Sequence, residues 1–417
     1  MSKLSRRDWM ITAAAAAGGM SFGQALGAAK RPNEPGRYAG REPGGSAPDS
    51  LNGIARTKGL RFGSCIGTGP TKGELELLRP EVLARPRRAS AYEDTQMRVL
   101  TASQCGIVVP ENELKFYVLR PRPGVFDFRR ADMLMDFASR NHLAMRGHTL
   151  FWNRTNWTPR WVNELDFGSR PATAAEKMLR EHIFKVCRHY GERIFSYDVI
   201  NETVNQDTGE LEDTVFTKHL GWNVIDICFH AAREAAPHAE MVYNDFPSWG
   251  PDGTHRAGLL KLLDYTKKKN LPVDTFGIQA HIGFGNTGGG PGAERDETAW
   301  RKFLDEVTAM GFALIITEFD VNERYTQGDV AARDRIVADL GKTYLDIILS
   351  YPQLRYVMAW GLVDKYSWLQ EFTPRADGLP QRCTPYDDNY QPKPLREAIA
   401  AAFAAAPART EMKIEPA

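Results

Sequence analysis

The chain has 417 residues, of which 42% are hydrophobic and 25% are charged. This hydrophobic fraction excludes a disordered chain, and the length fits either two or three small domains or one large α/β barrel. The formal net charge of +1, from 53 basic and 52 acidic residues, argues against nucleic acid as a partner and against binding to an anionic membrane surface.

The first residues have the layout of an export signal. Arg6 and Arg7 stand just before an uncharged run, Ile11–Gly23, that is rich in Ala and Gly. A charged start followed by a short apolar stretch and small residues is typical of such signals, and the paired arginines indicate the twin-arginine route. The run is shorter than the about 20 residues that span a membrane, which disfavours an anchor. We predict that residues 1–29 are removed and that the mature protein is periplasmic or secreted, with no membrane segment.

Composition divides the rest of the chain into three parts. Residues 30–57 are rich in Pro, Gly and charged residues, which predicts a flexible N-terminal arm. Residues 58–405 carry the apolar and amphipathic patterns of one large domain, and residues 406–417 form a C-terminal tail. We expect the protein to be a monomer.

The five cysteines show no C-x-x-C spacing, which disfavours a structural zinc site and a redox motif. No H-E-x-x-H or similar ligand motif is present, so we predict neither a metal nor any other cofactor. Four of the cysteines lie in apolar runs, and buried free cysteine is common, so we favour free core thiols over disulfides. The five are Cys65, Cys105, Cys187, Cys228 and Cys383.

Strand-like and helix-like segments alternate along the predicted domain. Eight apolar, β-rich runs predict strands at Leu60–Ile66, Gly106–Pro110, Ala144–Trp152, Phe195–Asn201, Glu240–Phe246, Thr275–Ile282, Ala313–Val321 and Tyr356–Val363. Amphipathic patterns between them predict helices at Ala91–Ser103, Ala131–Asn141, Ala174–Tyr190, Trp222–Ala236, Gly258–Asn270, Thr298–Met310 and Ala331–Leu349.

This alternation predicts a parallel sheet, and eight repeats predict a closed (β/α)8 barrel of the TIM type, within the α/β class. The alternative is an open doubly wound sheet, which would carry a G-x-G-x-x-G phosphate turn after its first strand. The glycines there are Gly63, Gly67 and Gly69, spaced G-x-x-x-G-x-G, so we interpret them as a turn.

Polar and aromatic residues stand at the ends of the strand-like runs, where a barrel places its functional groups. Glu202 follows the fourth run, and Glu318 lies near the end of the seventh. Cleavage of a glycosidic bond needs two carboxyl groups, one to protonate the leaving oxygen and one to attack the anomeric carbon or to activate water. A lone strand-end glutamate is equally well a salt-bridge partner or a cap. Because both glutamates follow long apolar runs and would share one barrel mouth, we interpret them as a catalytic pair.

Seven motifs together resemble those of the glycoside hydrolase family 10 xylanases, in order from about Leu60 to Ala400. They are E-N-E-L-K from Glu111, R-G-H-T-L-F-W from Arg146, D-V-I-N-E from Asp198, Y-N-D from Tyr243, I-Q-A-H from Ile278, I-T-E-F-D from Ile316 and W-G-L-V-D-K-Y-S-W from Trp360. The resemblance implies a (β/α)8 barrel with catalytic glutamates on strands four and seven. It also implies an endo-acting hydrolase that cleaves β-1,4 bonds of xylan or xylo-oligosaccharides with net retention of configuration.

The resemblance assigns roles to the residues around the reacting bond. Glu202 would be the general acid/base and Glu318 the nucleophile, a pair that should stand about 5–5.5 Å apart in a retaining enzyme. His281 and Asp320 would orient the nucleophile, and Asp320 shares the face of Glu318 because it lies two residues further along the strand. Asn201 would hydrogen-bond the 2-hydroxyl of the sugar.

The resemblance also implies a set of sugar-binding residues. On the glycone side they are Glu111, Asn112 and Lys115, joined by His148 and Trp152 under the adjoining sugar, by Asn244, Gln279 and His281 around the central sugar, and by an aromatic platform of Trp360 and Trp368. Indole rings suit the apolar C–H faces of a pyranose, and amide and ammonium groups suit its hydroxyls. For each tryptophan the alternative is core packing, because aromatic rings bury large areas.

The sequence departs from the family at several positions. Asn153 replaces a histidine, the segment Arg154–Pro159 after it is unusual, and Phe116 replaces a tryptophan. A glycine-rich loop with Gly288–Gly290 follows the sixth strand, and a long segment, Gln370–Pro394, follows the eighth. These changes leave both glutamates in place, and they predict differences at the outer sugar subsites.

Two other functions are consistent with parts of this pattern. A hydrolase of the same clan that acts on glucan or mannan would keep both glutamates. A carbohydrate-binding barrel without catalysis would need neither of them, so their presence counts against it. The near-neutral charge suits a neutral polysaccharide held by tryptophan faces and hydrogen bonds. The resemblance therefore implies an endo-1,4-β-xylanase.

Overall fold

A closed barrel of parallel strands forms the centre of the molecule. The structure is a computed structural model, and it describes residues 44–78, 89–251, 253–283 and 295–417. Within these ranges, ten strand segments form one sheet. They are β1 (Arg61–Ile66), β2 (Ile107–Pro110), β3 (Ala144–Gly147), β4 (Phe151–Trp152), β5 (Ile194–Asn201), β6 (Glu240–Asp245), β7 (Thr275–Ile278), β8 (His281–Gly283), β9 (Ala313–Asn322) and β10 (Leu354–Ala359).

Pairing between the first and last strands closes the barrel. β1 pairs in parallel with both β2 and β10, and the order runs through β3, β5, β6, β7 and β9 back to β10. β4 continues the position of β3 beside β5, and β8 continues that of β7 beside β9. The ten segments therefore occupy eight barrel positions, and the predicted (β/α)8 fold is confirmed.

Two of the predicted strands are interrupted in the structure. The predicted strand Ala144–Trp152 is divided into β3 and β4, and the peptide bond between His148 and Thr149 in this break is cis. The predicted strand Thr275–Ile282 is divided into β7 and β8 around Ala280, whose φ of 61° is left-handed. A residue in this region cannot continue an extended strand. Both breaks lie among buried residues, which are polar at His148, Thr149 and Gln279, so no exposed turn residue marks either break.

Helices surround the barrel and carry most of its outer packing surface. Those in the described ranges are α1 (Leu51–Arg56), α2 (Lys72–Glu76), α3 (Thr95–Gln104), α4 (Phe116–Leu119), α5 (Arg129–Arg140), α6 (Arg160–Asn163), α7 (Pro171–Tyr190), α8 (Val215–Leu220), α9 (Asn223–Ala235), α10 (Thr254–Lys268), α11 (Glu297–Ala309), α12 (Val330–Leu349), α13 (Leu369–Phe372) and α14 (Pro394–Ala405). The seven predicted helices correspond to α3, α5, α7 and α9 to α12, with ends shifted by a few residues. The described helices include none that is long and apolar enough to cross a membrane.

In the described residues the apolar core has two main parts, one between the barrel and the helices and one inside the barrel, and Leu78, Tyr117 and Val118 form a small third cluster. The inner part contains Cys65, Ile107, Val109, Ala144, Val242, Ile315, Tyr356, Met358 and Trp360. Filling of the interior by alternate strand residues is typical of this barrel class, so the interior is packed rather than hollow. All five cysteines are buried and unbridged, which confirms the predicted free thiols.

Residues 44–57 differ from the flexible arm that was predicted for residues 30–57. They lead into α1, where the Ser50 side chain accepts a hydrogen bond from the Gly53 N–H at 2.9 Å. Leu51 and Ala55 on this helix are fully buried, so the segment packs as part of the domain. A helix of one and a half turns is too short for its periodicity to stand out among Pro and Gly residues. The predicted export signal and residues 30–43 of the arm lie outside the described residues.

The C-terminal tail crosses the N-terminal end of the barrel. Glu411 Oε1 lies 2.7 Å from Nε of Arg61, the first residue of β1. Met412 and Ile414 pack against the inner barrel cluster, and the Ala417 N–H donates a hydrogen bond to the Leu143 carbonyl at 3.0 Å. The tail therefore covers the barrel end opposite the carboxyl ends of the strands.

Candidate active site

The predicted site residues all lie at the carboxyl ends of barrel strands or in the loops that follow them. They are Glu111, Asn112, Lys115, His148, Trp152, Asn201, Glu202, Asn244, Gln279, His281, Glu318, Asp320, Trp360 and Trp368. Most of them are buried or half-buried, although they carry polar or charged groups. Buried polar groups need partners, and here they are mostly partners of one another.

Glu202 follows the last residue of β5 in a left-handed conformation, with φ of 52°. Its N–H donates to the Asn244 carbonyl at 3.0 Å, so the residue stays attached to the neighbouring strand although it has left extended geometry. Carboxylate Oε1 accepts hydrogen bonds from Asn201 Nδ2 at 3.2 Å and from Gln279 Nε2 at 2.8 Å. Non-glycine residues adopt this conformation at an energetic cost, which makes the position notable in itself.

Glu318 lies inside β9 and is almost completely buried. Oε1 accepts a hydrogen bond from Asn244 Nδ2 at 2.9 Å, and Oε2 lies 3.2 Å from His281 Nε2. Burial alone would raise the pKa of this carboxyl, but the charges of His148, His281 and Lys115 outweigh it and hold the pKa well below its usual range. Glu318 is therefore ionised at neutral pH.

His281 connects Glu318 to a second carboxylate. Its Nδ1 lies 2.9 Å from Asp320 Oδ1, while its Nε2 faces Glu318. Burial would lower the pKa of His281, but Asp320 and Glu318 outweigh it and raise that pKa well above its usual value. The imidazolium therefore donates to both carboxylates. Asp320 is held in turn by Trp368, whose Nε1 donates to Oδ2 at 2.7 Å.

Asn244 joins the surroundings of the two glutamates. Its Nδ2 donates to Asn201 Oδ1 at 2.8 Å as well as to Glu318, and its Oδ1 accepts from the Thr317 hydroxyl at 2.7 Å. Asn201 donates onward to Glu202. Residues of β5, β6 and β9 thus hold both carboxyl groups in one hydrogen-bonded network, although β7 lies between β6 and β9.

Lys115 is a further buried cation of the site. Its Nζ donates to Asn112 Oδ1 at 3.0 Å and lies 4.6 Å from the ring centre of Trp152 and 6.0 Å from that of Trp360. Burial lowers the pKa of Lys115, against the raising effect of the nearby carboxylates. An ammonium group between two indole rings, beside Glu111 at the end of β2, is suited to bind hydroxyls of a sugar that stacks on the rings.

His148 is held by a buried ion pair that the motif comparison did not assign to the site. Its Nδ1 lies 2.9 Å from Asp198 Oδ2, and Arg146 Nη2 donates to Asp198 Oδ1 at 2.5 Å. The His148 ring meets Trp360 edge-on at 5.3 Å, and its Nδ1 is 3.9 Å from Glu318 Oε1. Arg146 and Asp198 therefore position a ring that contributes to the charge around Glu318.

Two further residues of the site lie in the unusual segment after β4. Arg154 Nε is 3.3 Å from Glu202 Oε2. Trp157 stacks on Trp152 with ring centres 4.6 Å apart and planes 9° apart, and its ring lies 6.1 Å from that of Phe372. The departure from the family motif was the only sequence signal for either residue, and it did not indicate their contacts.

The arrangement combines an ionised, buried carboxylate with a second carboxyl group that has one oxygen free of hydrogen-bond donors from the strands. Such a pair can supply a nucleophile and a proton donor on one bond. Among the residues that the structure describes, no group of three His, Cys, Asp or Glu side chains is arranged to hold a metal ion.

Comparison with known proteins identifies the family. The model of glycosyl hydrolase family 10 matches residues 83–402. The β-1,4-xylanase of Dictyoglomus thermophilum is 32% identical over 295 residues, 69% of this chain and 78% of that protein. Endo-1,4-β-xylanase 5 of Pyricularia oryzae is 29% identical over 391 residues, 92% of this chain and 86% of that protein.

A solved structure agrees with these relatives. Native xylanase 10B of Thermotoga maritima superposes with a TM-score of 0.70 and 25% identity, over 85% of this chain and 98% of that one. The match of the family model covers more than three quarters of the sequence. The chain therefore belongs to glycosyl hydrolase family 10 and is a glycoside hydrolase.

Proposed function

We propose that the protein is a retaining endo-1,4-β-xylanase that cleaves internal β-1,4 bonds of xylan by double displacement, with Glu202 as acid/base and Glu318 as nucleophile. The observation that carries this proposal is the contrast between the two carboxyl groups. Glu318 is buried among charges that keep it ionised, and Glu202 has one oxygen, Oε2, that accepts no hydrogen bond from Asn201 or Gln279. The xylanase names of the relatives support the substrate.

In the first step, Glu318 attacks the anomeric carbon and Glu202 protonates the glycosidic oxygen. The C–O bond of the glycosidic link breaks, a glycosyl ester of Glu318 forms, and the shortened chain leaves with a new hydroxyl. Because Oε1 of Glu202 already accepts two N–H donors, the proton is delivered from Oε2. The positive charge of His281 stabilises the Glu318 carboxylate before the attack, and when the glycosyl ester forms the negative charge of Glu318 is lost while His281 stays in place.

In the second step, water replaces the departed chain. Glu202, now a carboxylate, takes a proton from the water as its oxygen attacks the anomeric carbon. The ester bond to Glu318 breaks, the sugar is released with its original configuration, and both glutamates return to their starting states. The same network around Asn201 and Asn244 serves both steps, since each glutamate keeps its strand position.

Two glutamate variants test the roles. We expect Glu318→Ala to reduce turnover by about 10⁴-fold or more while xylan binding persists, because the ester cannot form. Glu202→Ala should be as slow on xylan, yet form the glycosyl-enzyme rapidly from an aryl xyloside whose phenolate leaves without protonation. The exposed Glu192→Ala serves as a control with unchanged rates. Rapid turnover by Glu318→Ala would overturn the assignment.

The stereochemical course and the substrate are tested with the unmodified enzyme. Proton NMR of the earliest products should show the β-anomer, whereas an α-anomer would indicate inversion. In assays of xylan, β-glucan and mannan, new reducing ends should form fastest from xylan. Release from β-glucan or mannan but not from xylan would assign the protein to a different activity of the same clan.

We also propose that the protein is exported by the twin-arginine route and acts in the periplasm or the medium. The paired Arg6 and Arg7 before the uncharged run support this. Substitution of both by Lys should leave the full-length chain inside the cell. N-terminal sequencing of the exported wild type should begin near residue 30, and a retained Met1 outside the cell would contradict the proposal.

A further inference from the structure

Arg154 stands beside the carboxyl oxygen that the proposed mechanism uses. Its Nε is 3.3 Å from Glu202 Oε2, and its Nη1 is 2.7 Å from Glu212 Oε1. The guanidinium carbon lies 5.3 Å from the ring centre of Phe246, which covers one face of the group. About a quarter of the Arg154 side chain is exposed, 23%, so the cation is largely desolvated. A positive charge therefore stands beside Oε2 of Glu202.

The two oxygens of Glu202 are not equivalent. Oε1 accepts hydrogen bonds from Asn201 and Gln279, so a proton on the carboxyl group resides on Oε2. Among the described residues, Arg154 Nε has no hydrogen-bond acceptor, so its contact with Oε2 is an interaction of charges. A positive charge at this distance favours an ionised carboxyl group over a protonated one.

Glu212 opposes this effect, because it also pairs with Arg154 and partly neutralises the positive charge of the arginine. It lies in the loop after β5, where its N–H donates to the Thr203 carbonyl at 2.9 Å, and its Oε1 also accepts from Asn205 Nδ2 at 3.2 Å. Arg154 therefore lies between two carboxylates and forms an ion pair with each, Glu202 on one side and Glu212 on the other. Removal of either outer charge changes how strongly the arginine acts on the other.

Asn153 fixes the arginine relative to the glutamate. This fully buried residue donates from Nδ2 to the Thr203 hydroxyl at 2.5 Å and accepts at Oδ1 from the Thr214 hydroxyl at 2.7 Å. Thr203 directly follows Glu202 in the chain. The residue that replaces the family histidine thus links the loop of Arg154 to the loop of Glu202, and the distance between the two charges is set by buried contacts.

We propose that Arg154 is a positioning residue that sets the proton affinity of Glu202, and that Glu212 adjusts this effect by partly neutralising the arginine. The proposal rests on the acid/base role proposed above for Glu202. Among the residues that the structure describes, the other charges near Glu202 are Lys115, from the loop after β2, and Glu318, on β9 beyond Asn244. Both are unchanged in the variants below, so any change in titration reports on the Arg154–Glu212 pair.

The test is the pH dependence of kcat/KM for a xylo-oligosaccharide, whose cleavage requires the protonated acid. We expect Arg154→Met to move the alkaline limb upward by about one pH unit, because Glu202 then keeps its proton to higher pH. Arg154→Lys retains the charge and should leave the limb close to that of the wild type. Glu212→Gln should move the limb downward, because the charge of Arg154 then acts on Glu202 alone.

Opposite shifts from Arg154→Met and Glu212→Gln cannot come from loosened packing, which would affect the two variants alike. Coincident limbs in all three variants, or shifts of Arg154→Met and Glu212→Gln in the same direction, would overturn the inference. If Arg154→Met fails to fold, the downward shift of Glu212→Gln decides. Glu202→Ala, assayed on both a xylo-oligosaccharide and an activated aryl xyloside, separates the two proposals. If this variant lost activity equally on both substrates, or lost none on either, the acid/base role of Glu202 would be contradicted.

Discussion

At the scale of single residues, the chemistry depends on how Glu318 is kept ionised in a buried place. The charges of His148, His281 and Lys115 lower its pKa against the effect of burial. His281 is the closest of these, at 3.2 Å, and its own charge is maintained by Asp320. Loss of any one of these charges should therefore change the pKa of Glu318.

Replacement of His281 by Gln removes one positive charge from this chain. The pKa of Glu318 should then rise, so that the carboxylate is protonated at a higher pH than in the wild type. We expect the acidic limb of kcat/KM to move upward by about one pH unit. The exposed His230→Gln on α9 is the matched control, and its limb should not move. An unmoved acidic limb in His281→Gln would show that His281 does not set the charge state of the nucleophile.

At the scale of elements, the loop after β4 brings aromatic rings from two parts of the chain together. Trp157 stacks on Trp152 and also meets Phe372 of α13, which follows the eighth barrel position. Trp368 meets Phe372 at 5.1 Å. The rings therefore form a continuous row beside Lys115, and the two loops depend on each other for their geometry.

Replacement of Trp157 by Ala removes the middle of this row. We expect KM for xylo-oligosaccharides to rise about fivefold, because Trp152 loses the ring that holds its plane, while kcat changes by less than about twofold. Trp222→Ala, a half-buried ring that packs on Tyr265 away from the site, provides the comparison. A fall in kcat with constant KM would place Trp157 in the chemical step instead.

Hydrogen bonds of Asp94 connect the N-terminus of α3 to the segments that follow β10. Asp94 accepts hydrogen bonds from the Gln96 N–H at 2.8 Å and from the Tyr366 hydroxyl at 2.6 Å, and it also accepts from the Tyr390 hydroxyl. These hydrogen bonds hold the pKa of Asp94 far below its usual range, and those from the two tyrosines have the largest effect. A depressed pKa means stability that is present above pH about 4 and is lost as the pH falls towards the folded-state value.

Replacement of Asp94 by Ala should lower the free energy of unfolding by about 2 kcal/mol at pH 7, because it removes a cap and the acceptor of two phenols. Asp329→Ala removes the cap of α12, whose carboxylate accepts from the Ala332 N–H, and should cost about 1 kcal/mol. Urea unfolding at pH 7 and pH 3 measures both. Equal losses in the two variants would mean that the tyrosine bonds add nothing.

Sequence patterns predicted the elements whose signals are local. Strand positions followed from apolar runs, and the catalytic candidates followed from strand ends such as those at Glu202 and Glu318. The break at Ala280 was hidden, because a buried residue in a left-handed conformation keeps the apolar pattern intact. Contacts of Arg154 and Trp157 depend on the path of a loop between β4 and α6. Neither composition nor periodicity carries information about such a path.

At the scale of the whole molecule, the barrel is closed at its lower end by the chain's own tail. Met412 and Ile414 pack against residues of the barrel interior, and Arg409 donates to the carbonyls of Leu349 and Leu354 at 2.7 and 2.9 Å. The site lies at the opposite end. Stability and catalysis are thus separated along the barrel axis, as is usual for this fold.

Replacement of both Met412 and Ile414 by Ala should reduce the free energy of unfolding by about 2 kcal/mol through lost apolar burial. Turnover of xylan at 25 °C should stay within about twofold, since the strand ends that hold Glu202 and Glu318 are unchanged. The double variant Lys413→Ala and Glu415→Ala changes the exposed residues of the same segment and should leave the melting temperature unchanged. An unchanged melting temperature of the Met412→Ala, Ile414→Ala variant would show that the tail does not stabilise this end of the barrel.

The five unbridged thiols bear on how the molecule tolerates its chemical surroundings. Burial raises the pKa of the thiols of Cys105, Cys187, Cys228 and Cys383, so almost no thiolate forms at neutral pH. All five cysteines lie in the described ranges, and no crosslink among them has to form during folding. The barrel can therefore reach its native state in a reducing cytosol and keep the same covalent structure in an oxidising compartment.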